Sequence, residues 1–346
     1  GHGGQGDKGT GGTRGQGDKG DKGKEGGAMV EDKGDNVEEV LQERSLLLQS
    51  VLPDLSELNK TSLHLKENVF LGTLQNLWIP LATKLAWHHK HLGRPLIQGI
   101  LGGQGTGKTT MCKILTLILQ QLGLNPLSLS LDDLYKTYSD RLGLKQQDPR
   151  LIWRGPPGTH DVELGLAVID QIKECKSPVA VPRFDKSAYA GAGDRTTPEI
   201  VDNIIDIVLF EGWCVGVRPI DSSQFETAPS PILTDEDREF ALDINKKLND
   251  YLPLWERLDS LIVLYPTDYR LTLEWRKQAE RQMIAAGKSG MTEQEIEQFV
   301  HYFWRSLHPE LFIKPLVKSA KLVDLVIEIH PHPDHTFGRV YKLTDV

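Results

Sequence analysis

The chain is 346 residues long and carries a formal net charge of −8, with 39% hydrophobic and 25% charged residues. An acidic body of this kind argues against a nucleic-acid groove as its main business, and no apolar run approaches the ~18 residues needed to span a membrane. The three cysteines, Cys112, Cys175 and Cys214, lie far apart without metal-ligand spacing and read as reduced core residues of a cytoplasmic protein.

Residues 1–36 hold 14 of the 33 glycines. Glycine recurs every third residue, but the register slips and no proline accompanies it, so a collagen triple helix is disfavoured. A segment with nothing apolar to bury is expected to be a disordered Gly-rich tail. It also lacks the apolar stretch of a signal peptide. From Val37 the pattern turns apolar through Leu46, Leu47, Val51 and Leu52, with a stop expected at Pro53. Leu74, Leu77, Trp78, Leu81 and Leu85 form a second helical stripe, and Pro80 suits the start of its later half. Residues 37–92 therefore read as an N-terminal helical segment packed on a core that occupies 93–346.

That core opens with the apolar run 95–101, followed by Gly102-Gly103-Gln104-Gly105-Thr106-Gly107-Lys108-Thr109-Thr110 and then Met111, Ile114, Leu115, Ile118 and Leu119 at helical spacing. Strand, glycine loop and helix in that order are the context a phosphate-binding P-loop needs. The glycines turn backbone N–H groups onto phosphate oxygens, and the helix N-terminus adds its dipole. Gly103, Gln104, Gly105, Thr106, Gly107, Lys108, Thr109 and Thr110 are expected to bind the nucleotide, with Lys108 on the β- and γ-phosphates and Thr109 on Mg²⁺.

An alternating strand, 127–131, then ends in Asp132-Asp133. Residues 134–160 look loop-rich, a helix is expected after Asp161, and 178–182 is strand-like. The run 204–210 ends at Glu211, and 261–265 is closed by Pro266. A charged helix from Asp268 and another at 292–306 make a lid region of about 268–306, before a last strand at 322–329. Residues 221–239 look like a surface insertion. Strands alternating with helices define an α/β fold, a P-loop three-layer sandwich with a mostly parallel sheet.

In such a sheet ligands bind outside the carboxyl ends of the strands, which gathers the P-loop, Asp132-Asp133 and Glu211 at one crevice. Phosphoryl transfer needs positioning, charge neutralisation and a carboxylate for the acceptor's proton. Asp132 is placed for that task, and Glu211 occupies the position that holds Mg²⁺. Arg183 and Lys186, with Arg195 beyond a flexible 191–193 stretch, suit a small anionic acceptor. The same spacing also suits a solvated, salt-bridged loop. His330, His332 and His335 have metal-binding residue type but no carboxylate or thiol framework.

The P-loop together with L-S-L-D-D-L-Y (129–135), R-G-P-P-G-T-H-D (154–161), P-R-F-D-K-S (182–187) and F-E-G-W (210–213) resembles D-glycerate 3-kinase of the plant and cyanobacterial type, a branch of the phosphoribulokinase/uridine-kinase-like P-loop kinases. The resemblance spans roughly 95–330. It implies ATP- and Mg²⁺-dependent phosphorylation of D-glycerate to 3-phosphoglycerate, a step of photorespiratory carbon recovery. It implies Asp132 as base beside Lys108 and Glu211, and Asp133, His160, Asp161, Arg183, Lys186 and Arg195 on the acceptor side. Arg276 and Arg281 fall where these kinases carry lid arginines. Leu134 stands where an aromatic is expected, and the Gly-rich tail is foreign to the family. Other acceptors (uridine, pantothenate, ribulose 5-phosphate) and a P-loop ATPase acting as a switch or chaperone are the alternatives, and neither a nucleic-acid nor a membrane partner is expected. Oligomeric state is not readable from the sequence.

Overall fold

The computed structural model describes residues 37–63, 65–285, 287, 290–331 and 339–344; the Gly-rich tail and two of the three late histidines, His332 and His335, lie outside them. The described residues from Gln42 onward form the compact unit described below.

In chain order the elements are α1 (Val37–Leu58), α2 (Glu67–Thr73), α3 (Ile79–Leu92), β1 (Leu96–Gly102), α4 (Lys108–Gln121), β2 (Pro126–Ser130), α5 (Tyr138–Gln147), α6 (Val162–Lys173), β3 (Val179–Val181), β4 (Phe184–Asp185), β5 (Asp194–Arg195), β6 (Glu199–Val201), β7 (Ile207–Gly212), α7 (Asp235–Lys247), α8 (Leu252–Trp255), β8 (Ser260–Pro266), α9 (Leu271–Ala285), α10 (Glu293–Ser306), α11 (Pro309–Leu316), β9 (Leu325–Pro331) and β10 (Arg339–Thr344). The main sheet runs β10-β9-β8-β1-β7-β2. Its strands are parallel except β10, which pairs antiparallel with β9. β1 is buried at every position, as a central strand covered on both faces must be.

Alternate residues of each strand feed two cores. Leu96, Ile100, Leu209 and Leu264 pack with α3, α4 and the buried face of the N-terminal helices, including Val51 and Leu55. Ile97, Leu101, Phe210 and Val263 pack with α6, α7, α8 and α10. The parallel sheet between two helical layers is the architecture expected from the alternation of apolar patterns.

Two local expectations give way, and a third holds only in part. Pro53 lies inside α1, because Val51 and Leu55, 1% and 0% exposed, anchor the helix on both sides of it. The loop-rich stretch contains α5, which buries none of its residues and so leaves no apolar period; its start is set by Thr137 accepting from the Asp140 N–H. The stretch 221–239 is mostly exposed, as a surface segment should be, but it is not a loose insertion: Phe225 and Ile232, each 1% exposed, pin it to the core, and α7 begins inside it at a Thr234–Asp237 capping box. Of the cysteines, Cys112 and Cys214 are buried and Cys175 is exposed. No described helix is long and apolar enough to cross a membrane.

Candidate active site

The sheet register sets the site. Ile100 pairs with Glu211, and Glu211 pairs with Ser130, so β1, β7 and β2 end at one rim. From that rim Gly102 to Gly107 arch into α4. Gly105 and Gly107 take φ of +72° and +92°, which side chains disfavour, and Gly107 hands the chain to the helix at Lys108. Thr106 is fully buried and its hydroxyl donates to the Gly103 carbonyl at 2.8 Å, bracing the loop from inside.

Lys108 Nζ donates to the same Gly103 carbonyl at 3.0 Å. Burial lowers its ammonium below the usual lysine value; the charges of Glu211 and Asp132 oppose that shift, and Lys186 adds to it. Glu211 is 7% exposed and accepts from the Thr109 hydroxyl at 3.4 Å. Above the loop, α9 packs directly: a Cβ on Gly105 would lie 3.0 Å from Cβ of Trp275 and 3.8 Å from the Arg276 nitrogen. Arg276 pairs with Glu280 at 2.9 Å, and its Nε is buried without a hydrogen-bond partner. Arg281 is drawn away to Glu293 at 3.0 Å.

At the end of β2 a single tight turn separates two adjacent acids. Asp133 closes a capping box with Ser130 and accepts from Arg183 Nη1 at 3.0 Å, so its oxygens serve the framework. Asp132 meets Lys186 Nζ at 2.6 Å and is hydrogen-bonded by the Tyr135 hydroxyl. Burial alone would raise its pKa; the Lys186 cation outweighs this and holds the carboxylate below its ordinary value, with His160 and Tyr135 adding to the effect.

His160 stacks on Tyr135 with ring centroids 4.5 Å apart and is 2% exposed. The Tyr251 hydroxyl accepts the Gly158 N–H at 2.9 Å and is hydrogen-bonded to His160 Nδ1 at 2.7 Å. The other ring nitrogen, Nε2, is buried without a partner. Burial lowers the His160 pKa to about 3. The folded chain therefore binds no proton there between about 3 and the ordinary 6.5, whereas the unfolded chain does. Stability should rise with pH across that window and be lost as pH falls through it, with a slope of up to about 1.4 kcal/mol per pH unit from this group. Urea unfolding of His160→Gln between pH 6.5 and 4.5 should show a flatter slope, with His308 (also lowered by burial) keeping its share. An unchanged slope would contradict a buried neutral ring.

The remaining expected acceptor residues are tied into the frame. Arg183 spends Nε and Nη2 on Glu199 and Nη1 on Asp133 and the Ser128 carbonyl. Arg195 spends Nε on the Tyr135 carbonyl and Nη2 on Asp161. Asp161 caps α6 through the Leu164 N–H and gives its other oxygen to Arg195. Only Lys186 of that set, 61% exposed at its side chain, stands beside Asp132. Sequence reading passed over Tyr135 and Arg154, although both lie inside the quoted motifs. It had no signal for Tyr251, which comes to His160 from 91 residues away in sequence. No group of histidines, cysteines and acids that could hold a metal ion occurs among the described residues.

A P-loop at the centre of a parallel sheet, a desolvated lysine, and two strand-end acids beside it define a P-loop phosphotransferase. No family model matches the chain. An uncharacterised kinase of Schizosaccharomyces pombe, mug58, is 32% identical over 219 residues, covering 61% of this chain and 79% of that one. The chloroplastic D-glycerate 3-kinase of Arabidopsis thaliana is 29% identical over 296 residues, covering 79% of this chain and 62% of that protein's length. The solved structure of D-glycerate 3-kinase from Cryptococcus neoformans superposes with a TM-score of 0.65 at 27% identity, covering 76% of this chain and 97% of that one. The chain belongs to one family of P-loop kinases with mug58 and is an ATP-dependent kinase, similar also to the D-glycerate 3-kinases of Arabidopsis and Cryptococcus.

Proposed function

We propose that the chain transfers the γ-phosphoryl group of ATP to D-glycerate, giving 3-phosphoglycerate and ADP, with Mg²⁺ as cofactor. The observation that carries this reading is Asp132: a carboxylate held ionised by Lys186 and Tyr135, at the same sheet rim as the P-loop lysine. The names of the Arabidopsis and Cryptococcus relatives supply the acceptor.

In this mechanism the P-loop amides and Lys108 hold and neutralise the β- and γ-phosphates. Thr109 and Glu211, already in mutual contact, are the donor set for Mg²⁺, an oxygen-only pair that suits a hard cation. The metal supplies charge neutralisation across the phosphates. Asp132 accepts the proton of the acceptor hydroxyl as its oxygen bonds to the γ-phosphorus and the bond to the β-phosphate oxygen breaks. The backbone of α9 at Trp275–Arg276 lies against Gly105 and would shield the loop from water, and the buried, unpartnered Nε of Arg276 is a donor that a phosphate oxygen could take up. Lys186 balances Asp132 before the acceptor binds. We place the enzyme in a reducing compartment, the cytoplasm, on the strength of three free cysteines.

The test is ADP release over a panel of D-glycerate, uridine, pantothenate, ribulose 5-phosphate and no acceptor. Turnover with D-glycerate alone, with 3-phosphoglycerate identified by NMR, is the expected result. Equal ADP release without acceptor would make the chain an ATPase and sink the proposal.

A further inference from the structure

The cations that sequence offers for the acceptor's carboxylate are already matched: Arg183 by Glu199 and Asp133, Arg195 by Asp161. A guanidinium paired with a carboxylate must break that pair before it can receive another. Arg154 is different. It makes no ion pair with any described residue, and both its hydrogen bonds leave from one nitrogen, Nη1, to the carbonyls of Gly191 at 2.6 Å and Ala192 at 3.1 Å. The Nε–Nη2 edge, the edge that matches a carboxylate with two parallel bonds, carries no hydrogen bond to any described residue.

Its position is fixed with respect to the chemistry. The guanidinium lies 5.9 Å from the ring centre of Tyr135 and 5.5 Å from that of Phe184. The other end of Tyr135, its hydroxyl, holds Asp132. Arg154 also lines a cleft with Tyr138, Trp153, Thr159 and Ala192. The turn it leans on is made rigid by Arg141, which donates to the carbonyls of Lys136, Ala192 and Gly193. A Cβ on the next residue, Gly155, would strike the Phe303 ring at 2.4 Å, so the backbone that aims Arg154 is held close against α10.

We propose that Arg154 is the residue that reads the acceptor's carboxylate, gripping it through the free Nε–Nη2 edge while Asp132 takes the proton of the hydroxyl at the molecule's other end. This rests on the D-glycerate reading above and adds the reason for it: a cation with no ion-pair partner among the described residues, one aromatic ring away from the base, selects a short acid over a neutral alcohol or nucleoside. Arg183, Arg195 and Arg141 are positioning residues that build the frame around it.

The experiment is steady-state kinetics of the full chain carrying Arg154→Gln, Arg154→Lys or Arg154→Ala, with melting temperature and the KM for ATP followed alongside. Arg154→Gln should raise the KM for D-glycerate by about 10- to 100-fold, the worth of a charge-assisted pair. The KM for ATP should stay within about twofold. Arg154→Lys should recover only part of the loss, because an ammonium lacks the fork, and guanidinium ion in solution should restore Arg154→Ala. An unchanged KM for D-glycerate in Arg154→Gln overturns the inference and leaves the kinase reading standing. An equal loss towards ATP and D-glycerate, or no rescue by guanidinium, makes Arg154 structural and overturns it too. A wild-type chain that ignores D-glycerate removes both.

Discussion

Lys108→Ala is expected to cut kcat by about 10³-fold or more, to the background of the coupled assay. The size follows from what the ammonium balances. Glu211 and Asp132 both act on Lys108 electrostatically, and it is the cation rooted in the loop itself. Without it those acids face a polyanionic substrate with one compensating charge fewer, at a desolvated site where each charge counts for more than in water. The loop itself should persist, since Thr106 braces Gly103 independently. Melting temperature should therefore change little while turnover disappears. Lys108→Arg keeps the charge but not the compact head, and is expected to recover little. Retention of more than about a tenth of wild-type kcat would remove the nucleotide site from this loop.

Asp132→Asn is expected to lower kcat by about 10²- to 10⁴-fold, the range for loss of a general base. The amide has the same shape and keeps the hydrogen bond from Tyr135, but cannot take a proton. Asp132 makes no hydrogen bond to the P-loop, so the KM for ATP should remain within about threefold. Measuring kcat and both KM values separates the roles. A matched fall in kcat and rise in the KM for ATP would make Asp132 a ligand for the nucleotide or its metal instead of the base.

The legible part of this protein was its periodic part. The strand–loop–helix around Lys108 carries its own geometry in glycine spacing and apolar recurrence, and the strand-end acids follow once the sheet is parallel. What sequence could not separate was Asp132 from its neighbour Asp133. One capping box at Ser130 turns the second acid into the frame and leaves the first outside it. Nor could it tell which arginines were free, because Glu199 and Asp161 reach Arg183 and Arg195 only through β6 and the start of α6. Tyr251 was invisible for the same reason: a tyrosine before α8 holds a histidine ring across a fold that local pattern does not encode. α5 was missed because a helix that buries nothing writes no stripe.

The distribution of cysteines has a practical corollary. Cys112, on the first turns of α4, is sealed from solvent, with burial lifting its thiol to about 12, and burial likewise lifts Cys214 on the far side of the sheet. Neither yields a nucleophilic sulfur at neutral pH. Cys175, past the end of α6, is left as a single addressable handle. A maleimide dye or spin label would settle there, away from the glycine arch, and report the chain's movements without poisoning its chemistry.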